Sequence, residues 1–150
     1  MLVSRIGSFD GLRVADLFAG SGALGLEALS RGASHCLFVD RDAGASAAIR
    51  RNVQRLDAGS QADIRQQTVE TAPPPPQPCH LIFIDPPYAS GLQDKVLEHV
   101  ADARWIEPGG LISIESDRLD IACPPGLIVE ATRRFGKAHI HLFRHESPVV

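Results

Sequence analysis

At 150 residues, 44% hydrophobic and 22% charged, the chain has the size and composition of one soluble domain whose core needs no disulfide or metal staples. No apolar stretch approaches the ~20 residues that span a bilayer, and Met1-Leu2-Val3-Ser4-Arg5 lacks the apolar run of a secretory signal, so a cytoplasmic, membrane-free protein is expected. A net charge of −3 and a pI near 6.0 run against the basic footprint usual for binding nucleic acid.

The pattern alternates short β-branched runs with helical segments, which predicts an α/β fold with a mainly parallel sheet. Arg13 to Phe18 reads as the first strand, followed by the glycine turn Ala19-Gly20-Ser21-Gly22. Leu24, Leu26, Ala28 and Leu29 populate a helix that Arg31-Gly32 closes with a basic last turn and a glycine stop. His35 to Val39 is the second strand, and Asp42 caps a helix running to about Leu56. A third strand falls near Ala62 to Gln66, and the proline run from Pro73 to Pro78 is a stiff surface connection into a strand from His80 to Ile84.

Leu92 to Ala101 forms a helix with Val96, Leu97 and Val100 on one face, and Trp105 packs in the core beyond it. Pro108-Gly109-Gly110 turns into a strand from Leu111 to Glu115. Leu127 to Arg134 and Ala138 to Arg144 flank Phe135-Gly136-Lys137 as an antiparallel hairpin, which brings the expected total to seven strands.

Of the 15 basic residues 13 are Arg, the better bidentate phosphate donor. Arg50, Arg51 and Arg55, and Arg133 with Arg134, read as solvated faces. His139, His141 and His145 alternate onto one face and read as hairpin surface, not as a zinc site. Cys36, Cys79 and Cys123 are odd in number and far apart, so neither a disulfide framework nor a metal is expected.

Two motifs carry chemistry. Gly20-Ser21-Gly22-Ala23-Leu24-Gly25 matches G-x-G-x-x-G between strand and helix, with Asp40 ending the next strand about the expected distance on. That spacing alone fits an NAD-dependent oxidoreductase. Asp16, four residues before Gly20, argues otherwise, because its carboxylate would repel a pyrophosphate and attract the cationic ammonium and sulfonium of S-adenosyl-L-methionine. Asp16 also reads as a buried acid capping the helix that follows, and the glycines as a close strand-to-helix contact. Asp40 suits ribose hydroxyls or a helix start.

The second motif is Asp85-Pro86-Pro87-Tyr88, directly after the apolar run Leu81 to Ile84. The acid is a carboxylate acceptor, the prolines fix the backbone and lack N–H donors, and the tyrosine can lie against a π-face. Together they make a clamp for a flat, amine-bearing ring, and they also fit a plain turn that stops strand pairing. Glu115 either faces the cleft or merely terminates its strand. Both motifs fall at the carboxyl ends of strands, where open α/β sheets bind ligands.

The stretch from Asp16 through Ala33, followed by Asp85-Pro86-Pro87-Tyr88, resembles the RsmD family of bacterial 16S ribosomal RNA guanine-N2 methyltransferases. The similarity runs from about Gly11 to Glu146, including Leu111 to Ser116 and the turn at Gly136-Lys137. The resemblance implies a class I, Rossmann-like S-adenosylmethionine-dependent methyltransferase with its first and fourth strands adjacent. It implies that Asp16, Phe18, Gly20, Ser21 and Gly22 line the methionine end of the cofactor and that Asp40 holds the ribose. It implies further that Asp85 and the Pro86 carbonyl bind a guanine amine while Tyr88 stacks on the extruded base, with 16S ribosomal RNA or a small-subunit ribonucleoprotein as partner and no metal.

The family usually carries a basic segment before the first strand, and here only about a dozen residues precede it, so residues 1–150 are expected to be a single methyltransferase domain without that segment. Near Gln66-Gln67-Thr68 the family tends to offer an Asp or Asn to the cofactor's adenine, where this chain has Thr68. A DNA adenine-N6 methyltransferase uses the same clamp, and a cofactor-binding module without activity uses the same scaffold. Both stand as alternatives.

Overall fold

A computed structural model describes residues 7–87 and 91–146, so Tyr88 lies outside the described residues. Seven strands form one sheet in the order β3-β2-β1-β4-β5-β7-β6: β1 Arg13–Leu17, β2 His35–Asp40, β3 Ala62–Gln66, β4 Cys79–Ile84, β5 Ile106–Ser116, β6 Leu127–Phe135 and β7 Ala138–His145. The first five are parallel to one another, and β7 runs antiparallel between β5 and β6. The helices are α1 Ala23–Ser30, α2 Ala43–Arg55 and α3 Leu92–Val100.

Period-two alternation splits the apolar residues into two layers. Leu17, Val39, Ile82, Ile84, Ile112 and Phe143 pack against Val96, Leu97 and Val100 of α3 on one face, with Trp105 fully enclosed there. Val14, Cys36, Phe38, Leu81, Phe83 and Leu142 pack with Leu26 and Leu29 of α1 and Ile49 and Val53 of α2 on the other. Because β4 lies directly beside β1, the glycine turn and the Asp85 clamp emerge next to each other.

Local departures from the sequence expectations have physical causes. β1 stops at Leu17 because Phe18 turns into the left-handed region at φ 60°. α1 ends at Ser30, with Arg31 and Gly32 beyond it, so Arg31 is its cap and not part of a basic last turn. Pro108-Gly109-Gly110 lies inside β5: between Cys79↔Ile106 and Leu81↔Leu111, β4 advances two residues while β5 advances five, so the segment is a bulge and not a turn. Of the β7 histidines, His141 is not hairpin surface, while His139 and His145 are partly exposed. His141 is buried, its Nε2 is 3.0 Å from the Arg118 carbonyl, and its ring stacks on Phe143. His145 Nδ1 lies 3.2 Å from the Glu107 carbonyl.

Candidate active site

The turn after β1 is held from three directions. Ala19 N–H donates to the Val39 carbonyl (3.1 Å), Gly22 N–H to the Ala19 carbonyl (2.8 Å), and Gly20 N–H to Asp40 Oδ2 (2.9 Å). Gly20 and Gly22 sit at φ 57° and 83°, which L side chains rarely adopt. Gly25 serves a different purpose: a Cβ there would stand 2.5 Å from Phe38 and 2.6 Å from Cys36 Sγ, so its hydrogen lets α1 rest on β2. Ser21, exposed at the turn, accepts a hydrogen bond from Asn52 Nδ2 through its carbonyl (3.1 Å).

Asp16 is buried beneath this turn, and its Oδ2 accepts from Gly25 N–H at 3.0 Å. It therefore does cap an orphan amide of α1. Loss of water pushes its pKa up to about 7; the Gly25 amide opposes the rise, and the nearby Asp85 and Asp40 carboxylates add to it. Asp40 ends β2 with both oxygens engaged, Oδ2 by Gly20 and Oδ1 by Asp42 N–H at 2.9 Å. Asp42 caps α2 by accepting from Ala45 N–H at 2.8 Å, as its position in the sequence predicts.

Asp40 and Asp42 line a cleft of 790 Å³ across the carboxyl ends of the strands. Phe18, Asp85, Pro86 and Pro87 are also among its lining residues. Thr68 flanks the 3₁₀ turn Val69–Thr71, whose Val69 and Glu70 reach the cleft. Asp85 is anchored through its N–H to the Leu17 carbonyl (3.4 Å). Its carboxyl is pushed up to about 6, first by loss of water and then by a hydrogen bond and like charge from Glu115.

Of the residues singled out in the sequence, Phe18, Asp40, Asp85, Pro86 and Pro87 line the cleft, whereas Asp16, Gly20, Ser21, Gly22 and Thr68 are not among its lining residues. Sequence reasoning left Glu115 undecided and did not single out Glu70, Val69 or Leu92, all of which line the cleft. Alternation could have found Glu115: Leu111 faces the α1 layer, so Ser113 and Glu115 share that face and only Glu115 lies at the strand's carboxyl end.

Strand order, reversed last strand and carboxyl-end cleft define the class I, Rossmann-like methyltransferase fold. The E. coli structure of yhhF superposes with a TM-score of 0.88 at 28% identity, covering 98% of this chain and 84% of that one. A Haemophilus influenzae structure gives 0.87 at 25%, covering 97% and 94%. The family model described as conserved hypothetical protein 95 matches residues 3–144, and the chain belongs to that family, the RsmD family. Bacillus subtilis YlbH is 40% identical over 73% of this chain and 62% of its own length. Ribosomal RNA small subunit methyltransferase D of Escherichia coli is 34% identical over 68% of this chain and 52% of its own. The chain thus spans between half and two thirds of these relatives' length.

Proposed function

We propose that this chain transfers a methyl group from S-adenosyl-L-methionine to the exocyclic N2 amine of a guanine in 16S ribosomal RNA, presented free or in a small-subunit ribonucleoprotein. The observation that carries the reading is the Asp85-Pro86-Pro87 clamp facing an acid-rich cleft beside the glycine turn. Among the described residues lining that cleft are five carboxyl groups, Asp40, Asp42, Glu70, Asp85 and Glu115, against one guanidinium, Arg41. Such a field suits a cationic donor and disfavours a pyrophosphate, which argues against the NAD reading.

The chain's residues fit the donor. Asp40 is held rigid by two backbone amides, yet a carboxylate has about four acceptor sites, so it retains capacity for two ribose hydroxyls. Phe18, Gly20, Ser21 and Gly22 surround the methionine end, with the Asp16 charge beneath them, and Thr68 is the acceptor for the adenine amine. When bound, the donor supplies an electrophilic methyl whose C–S electron pair stays on sulfur as the N–C bond forms. Asp85 and the Pro86 carbonyl accept the two amine hydrogens, which localises the nitrogen lone pair, and Asp85 takes the proton released after transfer. Tyr88 supplies the aromatic face for the base. Rate enhancement then comes from orientation and fixed dipoles, without a covalent enzyme intermediate.

The test is transfer of label from S-adenosyl-L-methionine to unmodified small-subunit ribosomal RNA and to assembled small subunits, with nucleoside analysis of the product. N2-methylguanosine is expected. Label appearing in DNA as N6-methyladenine selects the DNA methyltransferase instead, and donor binding by calorimetry without transfer to any nucleic acid identifies a silent module.

A further inference from the structure

A second cavity of 300 Å³ opens on the other side of Asp85, over strands β4, β5 and β7. Its walls are mainly apolar and include Phe83, Ile140, Leu142 and, from the end of β6, Phe135. Phe135 is 56% exposed despite its size, an arrangement that suits stacking by a flat ring entering from solvent. Among the described residues only Asp85 and Glu115 line both this cavity and the 790 Å³ cleft.

Their pairing follows from strand register. β4 and β5 run parallel with Ile84 opposite Ile114, so the next residues, Asp85 and Glu115, stand side by side and share a hydrogen bond. Two neighbouring carboxyls present a row of acceptors. Guanine carries N1–H and N2–H donors on adjacent atoms of one edge. Adenine and cytosine place their amine next to a ring nitrogen bearing a lone pair. An acceptor beside Asp85 therefore complements guanine and faces a lone pair on the other two.

We propose that Glu115 is the residue that selects guanine, accepting N1–H while Asp85 accepts N2–H, with the base seated in the apolar cavity lined by Phe83 and Phe135. The proposal rests on the reading that guanine N2 is the methylated atom. As the base enters, the proton shared by the two carboxyls leaves to solvent, and the two ring donors take its place.

The experiment uses the full chain and unmodified small-subunit RNA. The methylated position is located by mass spectrometry of nuclease fragments, and 2-aminopurine, which keeps the N2 amine but has a lone pair at N1, is placed there by splinted ligation. The wild type is expected to favour guanine by on the order of 10- to 100-fold in kcat/KM, the cost of leaving a charged acceptor against a lone pair. Glu115→Gln, whose amide both accepts and donates, is expected to bring that ratio within about threefold of unity. A general loss of structure would lower both rates together and leave the ratio where it stands.

Equal wild-type rates on the two bases, or an unchanged ratio in a Glu115→Gln protein that melts at the wild-type temperature, overturns the assignment. The wild-type arm decides alone if the variant does not fold. Absence of N2-methylguanosine from the wild-type product removes the function reading itself, a result distinct from either of these.

Discussion

Asp85 and Asp16 are carboxyls whose protonation the fold has moved toward neutrality, and each has a measurable consequence. In the proposed reaction Asp85 can take up the released proton only when ionised, and its pKa stands at about 6. Single-turnover methyl transfer is therefore expected to fall about tenfold per unit as pH drops below about 6. Replacing Glu115 by Gln removes one of the causes that raise Asp85, so the acid limb should move to lower pH. Asp85→Asn keeps the shape but loses the charge and the proton acceptor, and is expected to lower kcat by roughly 10²- to 10³-fold with donor affinity little changed.

For Asp16 the sign runs the other way in stability. Its folded pKa of about 7 lies above the ordinary 3.8, so its contribution to stability is full below pH ~4 and is lost as pH rises to about 7. Asp16→Asn can still accept from Gly25 and does not titrate. It is expected to melt higher than the wild type at pH 8, by an amount worth up to ~4 kcal/mol that shrinks toward pH 4, while binding S-adenosyl-L-methionine more weakly. Thermal melts across pH, paired with calorimetry of the donor, read both effects.

At the scale of elements, the site depends on how closely α1 approaches β2. Gly25 leaves no room for a methyl group between the helix and the Phe38 ring, and the neighbouring Phe38 and Cys36 are fully buried. Gly25→Ala is expected to cost about 1–3 kcal/mol by overpacking and to tilt the glycine turn, so urea midpoint and donor affinity should fall together. The hairpin is fixed from the far side. A bulge at Glu130, where β6 passes from Val129 to Ala131 as β7 moves from Phe143 to Leu142, aims Glu130 at Arg144. The guanidinium meets both carboxylate oxygens at 2.7 and 2.9 Å and also donates to the Gly109 carbonyl at 2.8 Å. That bidentate pair ties β6 and β7 to the β5 bulge.

At the scale of the molecule, the cleft carries an acidic field while the chain as a whole has a net charge of only −3. Donor binding should therefore weaken as salt rises from 0.05 to 0.5 M in this proposed titration, because screening shortens to a few ångströms over that range. The neutral demethylated thioether, which lacks the sulfonium charge, should show a flatter dependence. Calorimetry of both ligands across salt measures the difference, and identical slopes would remove the electrostatic account of the cleft.

By itself the sequence determined the alternation of strands and helices, the glycine turn and the cap at Asp42, because each rests on chemistry between residues close along the chain. His141 could not be placed that way, because it is buried only through the pairing of β7 with β5; alternation gives the face of Glu115, but its place beside Asp85 follows from the register of β4 on β5. Asp16 showed both its possible roles in sequence, and only the folded turn reveals that its carboxyl caps Gly25 beneath the cleft. The bulge at Pro108-Gly109-Gly110 also escaped, since a turn and a bulge use the same residues and differ only in what lies opposite. Local backbone preference sets the elements; the neighbours they meet across the sheet set burial, ionisation and which carboxyls stand together.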